Sequence, residues 1–154
     1  MKQEQIKINY KIFNLSELSD KDRELIKQAA FATHKSYSPY SNFKVGAAVQ
    51  LDDGEILLGS NQENIAYPSG LCAERTALFS AGTKQGNVIA IAISAKDEKG
   101  NLATAYPCGA CRQVMIETQK QRTKHPIKIL IHRKDNTVLQ IDDVNDLLPF
   151  SFEY

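Results

Sequence analysis

The sequence predicts an α/β fold, a mixed sheet with helices on its faces. Three observations carry this. Phe43, Val45, Ala47, Val49 and Leu51 recur at every second position, the spacing of a strand. Residues 88–95 (VIAIAISA) are nearly all apolar, as in a central strand buried on both faces. Helix-spaced apolar segments are interleaved with these strands, giving the order α-β-β-α-β-α-β-β-α.

Taken from the N-terminus, Ile6, Ile8, Tyr10 and Ile12 alternate with polar residues, so 1–18 is expected to be an arm or a short strand. Ser19 followed by Asp22 is a helix N-cap signal. Leu25, Ile26, Ala29, Ala30 and Ala32 then form an apolar stripe, and the helix is expected to end near Tyr37, before Pro39. Asp52-Asp53-Gly54 turns the first strand into a hairpin with 55–60. Residues 61–70 read as a loop. Cys72 opens a helix that runs to about Gln85 and stops at Gly86. A polar loop spans 96–106, and Pro107 stands where a helix over 108–119 begins. Strands at 127–133 and 137–141 flank Asp135-Asn136, and 142–148 is a short last helix stopped by Pro149. No repeat or linker divides the chain, so 1–154 is expected to be one domain.

Composition narrows the function. With a formal net charge of +1, no strong polyanion partner is implied, and no nucleic-acid partner is expected. Residues 1–10 lack the apolar core of a signal peptide, and the longest apolar run is far too short to span a bilayer. Three cysteines are an odd number with two close together. That argues against a disulfide framework and for metal-bound thiolates in a reducing, cytoplasmic compartment.

The chemistry is concentrated in Cys72-Ala73-Glu74 and in Pro107-Cys108-Gly109-Ala110-Cys111. Cys108 follows Cys72 by 36 residues (108 − 72). Three thiolates leave the fourth tetrahedral position of a zinc ion open, which separates a catalytic from a structural zinc. Zinc in such a site lowers the pKa of water enough to give a nucleophile near neutral pH. Glu74, two residues from a ligand, is placed to move protons. Both cysteine segments fall at predicted helix N-termini, where the dipole and unpaired N–H groups favour thiolate. Zinc with three thiolates is net −1, so something must offset the excess charge. Arg112 directly follows Cys111 and Arg75 comes three residues after Cys72, and at least Arg75 is expected to donate hydrogen bonds to sulfur. A C-x-x-C pair alone would also suit a redox pair or half a structural zinc site, but neither explains Cys72 and Glu74. His34, His125 and His132 lack ligand-like spacing and read as solvated or core-edge residues.

CAER at 72–75 and PCGACRQ at 107–113 resemble the zinc-dependent cytidine deaminases, a class that includes a three-cysteine variant. The resemblance extends from about Ala29 to Phe152. It includes YSPYSNFKVGAAV at 37–49, NQENIAYPSG at 61–70 and LLPFSF at 147–152. The small, homotetrameric, three-cysteine branch is the one resembled. It implies a three-layer α/β/α sandwich around a five-stranded mixed sheet, and one Zn2+ per chain held by Cys72, Cys108 and Cys111. Glu74 would shuttle protons from zinc-bound water to N3 of the pyrimidine and then to the leaving amine. The implied reaction turns cytidine and deoxycytidine into uridine and deoxyuridine, a step of pyrimidine salvage.

For the substrate, the resemblance places Asn61 and Glu63 on the ribose 3′-hydroxyl, Phe43 against the pyrimidine and the Ala73 backbone near the base. It sends Phe152 into a neighbouring subunit's site. An ionised carboxylate such as Glu63 only accepts hydrogen bonds, so it welcomes a free hydroxyl and repels a phosphodiester. A free nucleoside is therefore expected over a polynucleotide. Weighed beside this are deamination of a modified nucleoside such as blasticidin S, editing of RNA or DNA, and a zinc-stabilised binding module. The sequence departs from the family pattern before its first helix and at 118–125, which is longer and more basic than expected.

Overall fold

The computed structural model describes residues 1–153. Its sheet has seven strands, β1 (Lys11–Asn14), β2 (Lys44–Leu51), β3 (Ile56–Ser60), β4 (Val88–Lys96), β5 (Leu102–Ala103), β6 (Lys128–His132) and β7 (Thr137–Ile141). The order across the sheet is β1-β7-β6-β4-β2-β3, with the two-residue β5 also on β4. β4 and β6 run parallel and every other pair antiparallel, so the sheet is mixed. Among the described residues the α-helices are α1 (Asp20–Ala32), α2 (Ala73–Ala81) and α3 (Gly109–Glu117).

Strand alternation divides the core into two layers. Ala48, Ala90, Ala92 and Leu130 face α1 through Leu25, Ile26 and Ala29. Their neighbours Ala47, Val49, Ile91, Ile93, Ile129 and Ile131 face the opposite way, toward Ala73, Ala77, Cys111 and Met115 of α2 and α3. β4 is therefore buried on both sides, as its unbroken apolar run predicts. The three-layer α/β/α architecture follows directly.

Close approach of helix and sheet depends on two glycines. A Cβ on Gly46 would lie 2.1 Å from the Ala29 carbonyl oxygen of α1. A Cβ on Gly59 would lie 2.4 Å from both Ala73 O and Ala77 N of α2. In each case the obstacle is backbone, which cannot swing aside as a side chain can.

Several local expectations hold. Ser19 accepts a hydrogen bond from Asp22 N at 3.1 Å and caps α1. The β2–β3 hairpin turns at Gly54, whose φ of 93° is open to glycine at no steric cost. Cys72 and Cys108 are the N-cap residues of α2 and α3.

The differences are tertiary in origin. The sheet has seven strands where five were expected. The N-terminal segment enters it at Lys11–Asn14, covering the edge of β7, while Ile6, Ile8 and Tyr10 of the same alternating run stay exposed. β5 is a short return of the loop after β4. α1 ends at Ala32 and continues only as a 3-10 turn, because Tyr37 bridges to Gln62 and draws the chain out of the helix. α2 stops at Ala81 instead of about Gln85, and α3 passes into a π-helical turn, Thr118–Thr123, that ends with Lys124 at φ 59°. The expected last helix is a 3-10 turn, Val144–Leu147, capped by Asp143 accepting from Asn145 N at 2.8 Å. Among the described residues no helix is long and apolar enough to cross a membrane.

Replacing Gly59 with alanine must push α2 away from β3. We expect a loss of about 3 kcal/mol, seen as a lower urea midpoint of the metal-free protein. An unchanged midpoint would show that the helix does not depend on this close approach.

Candidate active site at the N-termini of two helices

The N-termini of α2 and α3 bring the three cysteines together. Cys72 Sγ lies 3.8 Å from Cys108 Sγ, and Cys108 Sγ lies 3.5 Å from Cys111 Sγ. All three sulfurs fall within 4.8 Å of one another, and all three cysteines are free thiols. Ligands about 2.3 Å from a tetrahedral zinc stand about 3.8 Å apart, so this spacing fits one ion. Among the described residues no histidine joins the cluster. His132 is buried elsewhere, between Ser94 Oγ at 3.3 Å and Asn136 Oδ1 at 3.1 Å, and His34 packs on Phe31.

Electrostatics favour a cation among the sulfurs once they ionise. The Cys111 thiol, then Arg75 and Cys108, hydrogen-bond Cys72 and pull its pKa down to about 5. The same contact with Cys72, together with burial, pushes Cys111 far up. Three sulfurs this close cannot all ionise unless a positive charge sits among them. Arg75 supplies part of it, with Nη2 donating to Cys72 Sγ at 3.6 Å. That contact raises the guanidinium's own pKa, while its buried Nε has no partner.

Arg112 goes elsewhere. Its Nε donates to Pro107 O and its Nη1 to Leu147 O, both at 2.8 Å. It therefore does not reach a sulfur as the sequence suggested. It ties the segment entering α3 to the C-terminal 3-10 turn.

Glu74 lies in the first turn of α2 and is only 4% exposed. Burial pushes its carboxyl up to about 7, and the Cys72 charge adds to the rise. Its own backbone amide and the Cys111 thiol oppose that rise without cancelling it. A carboxyl poised near neutrality suits proton transfer in both directions.

Beside the cysteines opens a cavity of about 580 Å³, lined by Tyr40, Asn61, Glu63, Tyr67, Cys72 and Arg75 among others. Asn61 Oδ1 accepts from Ser36 Oγ at 2.6 Å and Val45 N at 2.8 Å, and its Nδ2 donates to Phe43 O at 2.9 Å. Glu63 accepts from the amides of Tyr40 at 2.9 Å and Ser41 at 3.2 Å, and from the Ser41 hydroxyl. The hydroxyl above all holds its carboxyl below the usual range. Ala73 is fully buried at the start of α2. Phe43 is half-buried and is not among the residues that line the cavity.

Phe152 also lies outside the cavity, 78% exposed, with its backbone N and O both bonded to the Gln113 amide of α3. Sequence reasoning missed Tyr40, Ser41 and Tyr67. The first two lie inside the 37–49 motif, and the Tyr40 and Tyr67 rings meet edge to face with centroids 6.3 Å apart. The available signal was Glu63, an acceptor in a loop that needed donors nearby.

Comparison with known proteins supports the same picture. Residues 19–125 match the family model described as the cytidine and deoxycytidylate deaminase zinc-binding region. The chain belongs to this deaminase family. It is 41% identical over 133 residues to the cytidine deaminase of Halalkalibacterium halodurans, covering 85% of this chain and 94% of the relative. A cytidine deaminase of Mycobacterium tuberculosis is 39% identical over 101 residues, covering 65% and 74%. The crystal structure of cytidine deaminase from Burkholderia pseudomallei superposes with a TM-score of 0.73 at 39% identity, covering 88% of this chain and all of that one. The Mycobacterium leprae enzyme gives 0.63 at 32% identity, covering 85% and 98%.

The raised Glu74 pKa has a consequence for stability. The folded protein keeps this proton up to about pH 7, whereas the unfolded chain releases it near 4.5. Between those values the unfolded state binds fewer protons, so stability falls as pH rises, by about 3 kcal/mol in all. In zinc-free protein, Glu74→Gln should therefore stabilise at pH 8, and its advantage should vanish as pH falls toward 4.5. Chemical denaturation across that range checks it, and an advantage independent of pH would contradict it.

Proposed function

We propose that the protein is a zinc-dependent cytidine deaminase that hydrolyses cytidine and deoxycytidine to uridine and deoxyuridine with release of ammonia. The observation that carries this reading is the convergence of three sulfurs with a buried carboxyl two residues from one of them, beside an open cavity. Cys72, Cys108 and Cys111 would hold one zinc ion. When bound, zinc supplies Lewis acidity that makes water nucleophilic near neutral pH.

The chain's own groups do the rest. Glu74, as carboxylate, takes a proton from water and gives it to N3 of the pyrimidine, which opens C4 to attack. The water oxygen adds at C4, and Glu74 then carries the proton of that new hydroxyl to the 4-amino group, which leaves as ammonia as the C4 carbonyl forms. Arg75 and the two helix N-termini offset the negative charge of the thiolates. The Ala73 backbone helps to hold the base. Asn61 and Glu63 meet the ribose 3′-hydroxyl. Phe43 would lie against the pyrimidine, and Phe152, tied through its backbone to Gln113 of α3, would serve a neighbouring subunit's site.

The ionised Glu63 and the net charge of +1 favour a free nucleoside over a polynucleotide. We place the chain in the cytoplasm as a single deaminase domain of 1–154, with 1–18 as an added arm, working in pyrimidine salvage. We also propose a homotetramer, in keeping with the branch that the sequence resembles, and the exposed Ile65, Phe79 and Phe150 are available for contacts between copies.

Loss of cytidine absorbance, measured on samples with known zinc content, tests the reading. Glu74→Gln should retain one zinc per chain and lose about 10²- to 10⁴-fold in turnover. Cytidine 3′-monophosphate should be a far poorer substrate than cytidine. Equal turnover by the variant, or equal use of the phosphate ester, would refute the corresponding role.

A further inference from the structure

We infer that Ser36 is a positioning residue that fixes Asn61 as a pure hydrogen-bond donor toward the substrate's sugar hydroxyl. The inference rests on the nucleoside reading above. An asparagine side chain has two acceptor lone pairs on oxygen and two donor hydrogens on nitrogen. The oxygen of Asn61 faces the Val45 N–H, an obligatory donor, and its nitrogen faces the Phe43 carbonyl, an obligatory acceptor. These two backbone contacts decide which end is which. They leave one lone pair and one N–H unassigned.

Ser36 takes the lone pair. Its Oγ lies 2.6 Å from Asn61 Oδ1 and 3.1 Å from Ser38 Oγ. The amide oxygen can only accept, so the single Ser36 hydrogen goes to Asn61. Ser38, which is 8% exposed, must then donate to Ser36. The result is a directed relay, Ser38 to Ser36 to Asn61, that saturates the amide oxygen. What remains at Asn61 is one N–H.

Glu63 shows the opposite polarity. Backbone amides and the Ser41 hydroxyl occupy part of its carboxylate, and every remaining site on it accepts. A donor at Asn61 and an acceptor at Glu63, both lining one cavity, fit a group that accepts and donates at once. An alcohol does this. A phosphate ester or a ketone cannot donate to Glu63. Without the Ser36 hydroxyl, Asn61 Oδ1 recovers a free lone pair, and the amide loses one of the three contacts that hold its plane.

The test compares cytidine with 3′-deoxycytidine in wild-type protein, Ser36→Ala and Ser36→Thr. Wild type should strongly prefer cytidine. Ser36→Ala should raise KM for cytidine by about three- to tenfold, the range expected from one hydrogen bond. Its kcat should be little changed, and its KM for 3′-deoxycytidine should stay at the wild-type value. Ser36→Thr, which keeps the hydroxyl, should keep the preference. A general structural defect would move both substrates together, so equal shifts in Ser36→Ala would overturn the inference. So would an unchanged preference in that variant while wild type discriminates. If wild type uses both substrates equally, the placement of Asn61 and Glu63 on the 3′-hydroxyl has failed instead.

Discussion

Three sulfur atoms within 4.8 Å of one another are the constraint around which the structure is organised. Left alone they repel as thiolates, so protons are shared unequally, with Cys72 pulled down and Cys111 pushed up. A divalent cation resolves the conflict by replacing those protons. The surroundings are arranged to tolerate the ionised state. Two helices direct their positive ends at the cluster, and Arg75 reaches Cys72. Glu74 is the counterpart of that arrangement. The burial and negative charge that stress the thiols keep its carboxyl near neutrality.

Packing holds the two helix ends in place. α2 rests so close on β3 that only a hydrogen fits at Gly59, and the atoms it meets belong to Ala73 and Ala77, in the same first turns of the helix as Glu74 and Arg75. The small side chains on the other face, Ala48, Ala90 and Ala92, let α1 approach equally closely. On the opposite side of the cysteines, Arg112 fastens the Pro107 carbonyl to the C-terminal turn. Position of the sulfurs therefore depends on backbone contacts more than on the sulfurs themselves.

Much of this was legible in the sequence because it is local. Ser19 and the two cysteine caps sit within four residues of what they cap, and the hairpin turn announces itself in Asp52-Asp53-Gly54. The ligand set was readable because three soft donors and one carboxylate are chemically distinctive whatever the fold. Pairings between distant segments were not readable. β1 joins β7 across more than a hundred residues, as Lys11 opposite Gln140 shows, and no local pattern sets that register. Adjacency to Cys111 makes Arg112 a candidate partner for sulfur, but its direction on α3 turns it toward two carbonyls. The cavity residues Tyr40, Ser41 and Tyr67 acquire meaning only when the 61–70 loop folds back over 37–43 through the Tyr37, Gln62 and Leu71 bridges. Phe152 could not be placed from sequence because its partner, Gln113, lies on a helix 39 residues away.

The central claim is that three protein sulfurs, and no fourth protein side chain, hold one zinc. X-ray absorption at the zinc K-edge on the purified, zinc-loaded protein tests it directly. The expected shell is three sulfur scatterers at about 2.3 Å and one oxygen at about 2.0 Å. A shell of four sulfurs, or of sulfur with imidazole, would contradict it, because neither leaves the coordination position on which deamination depends.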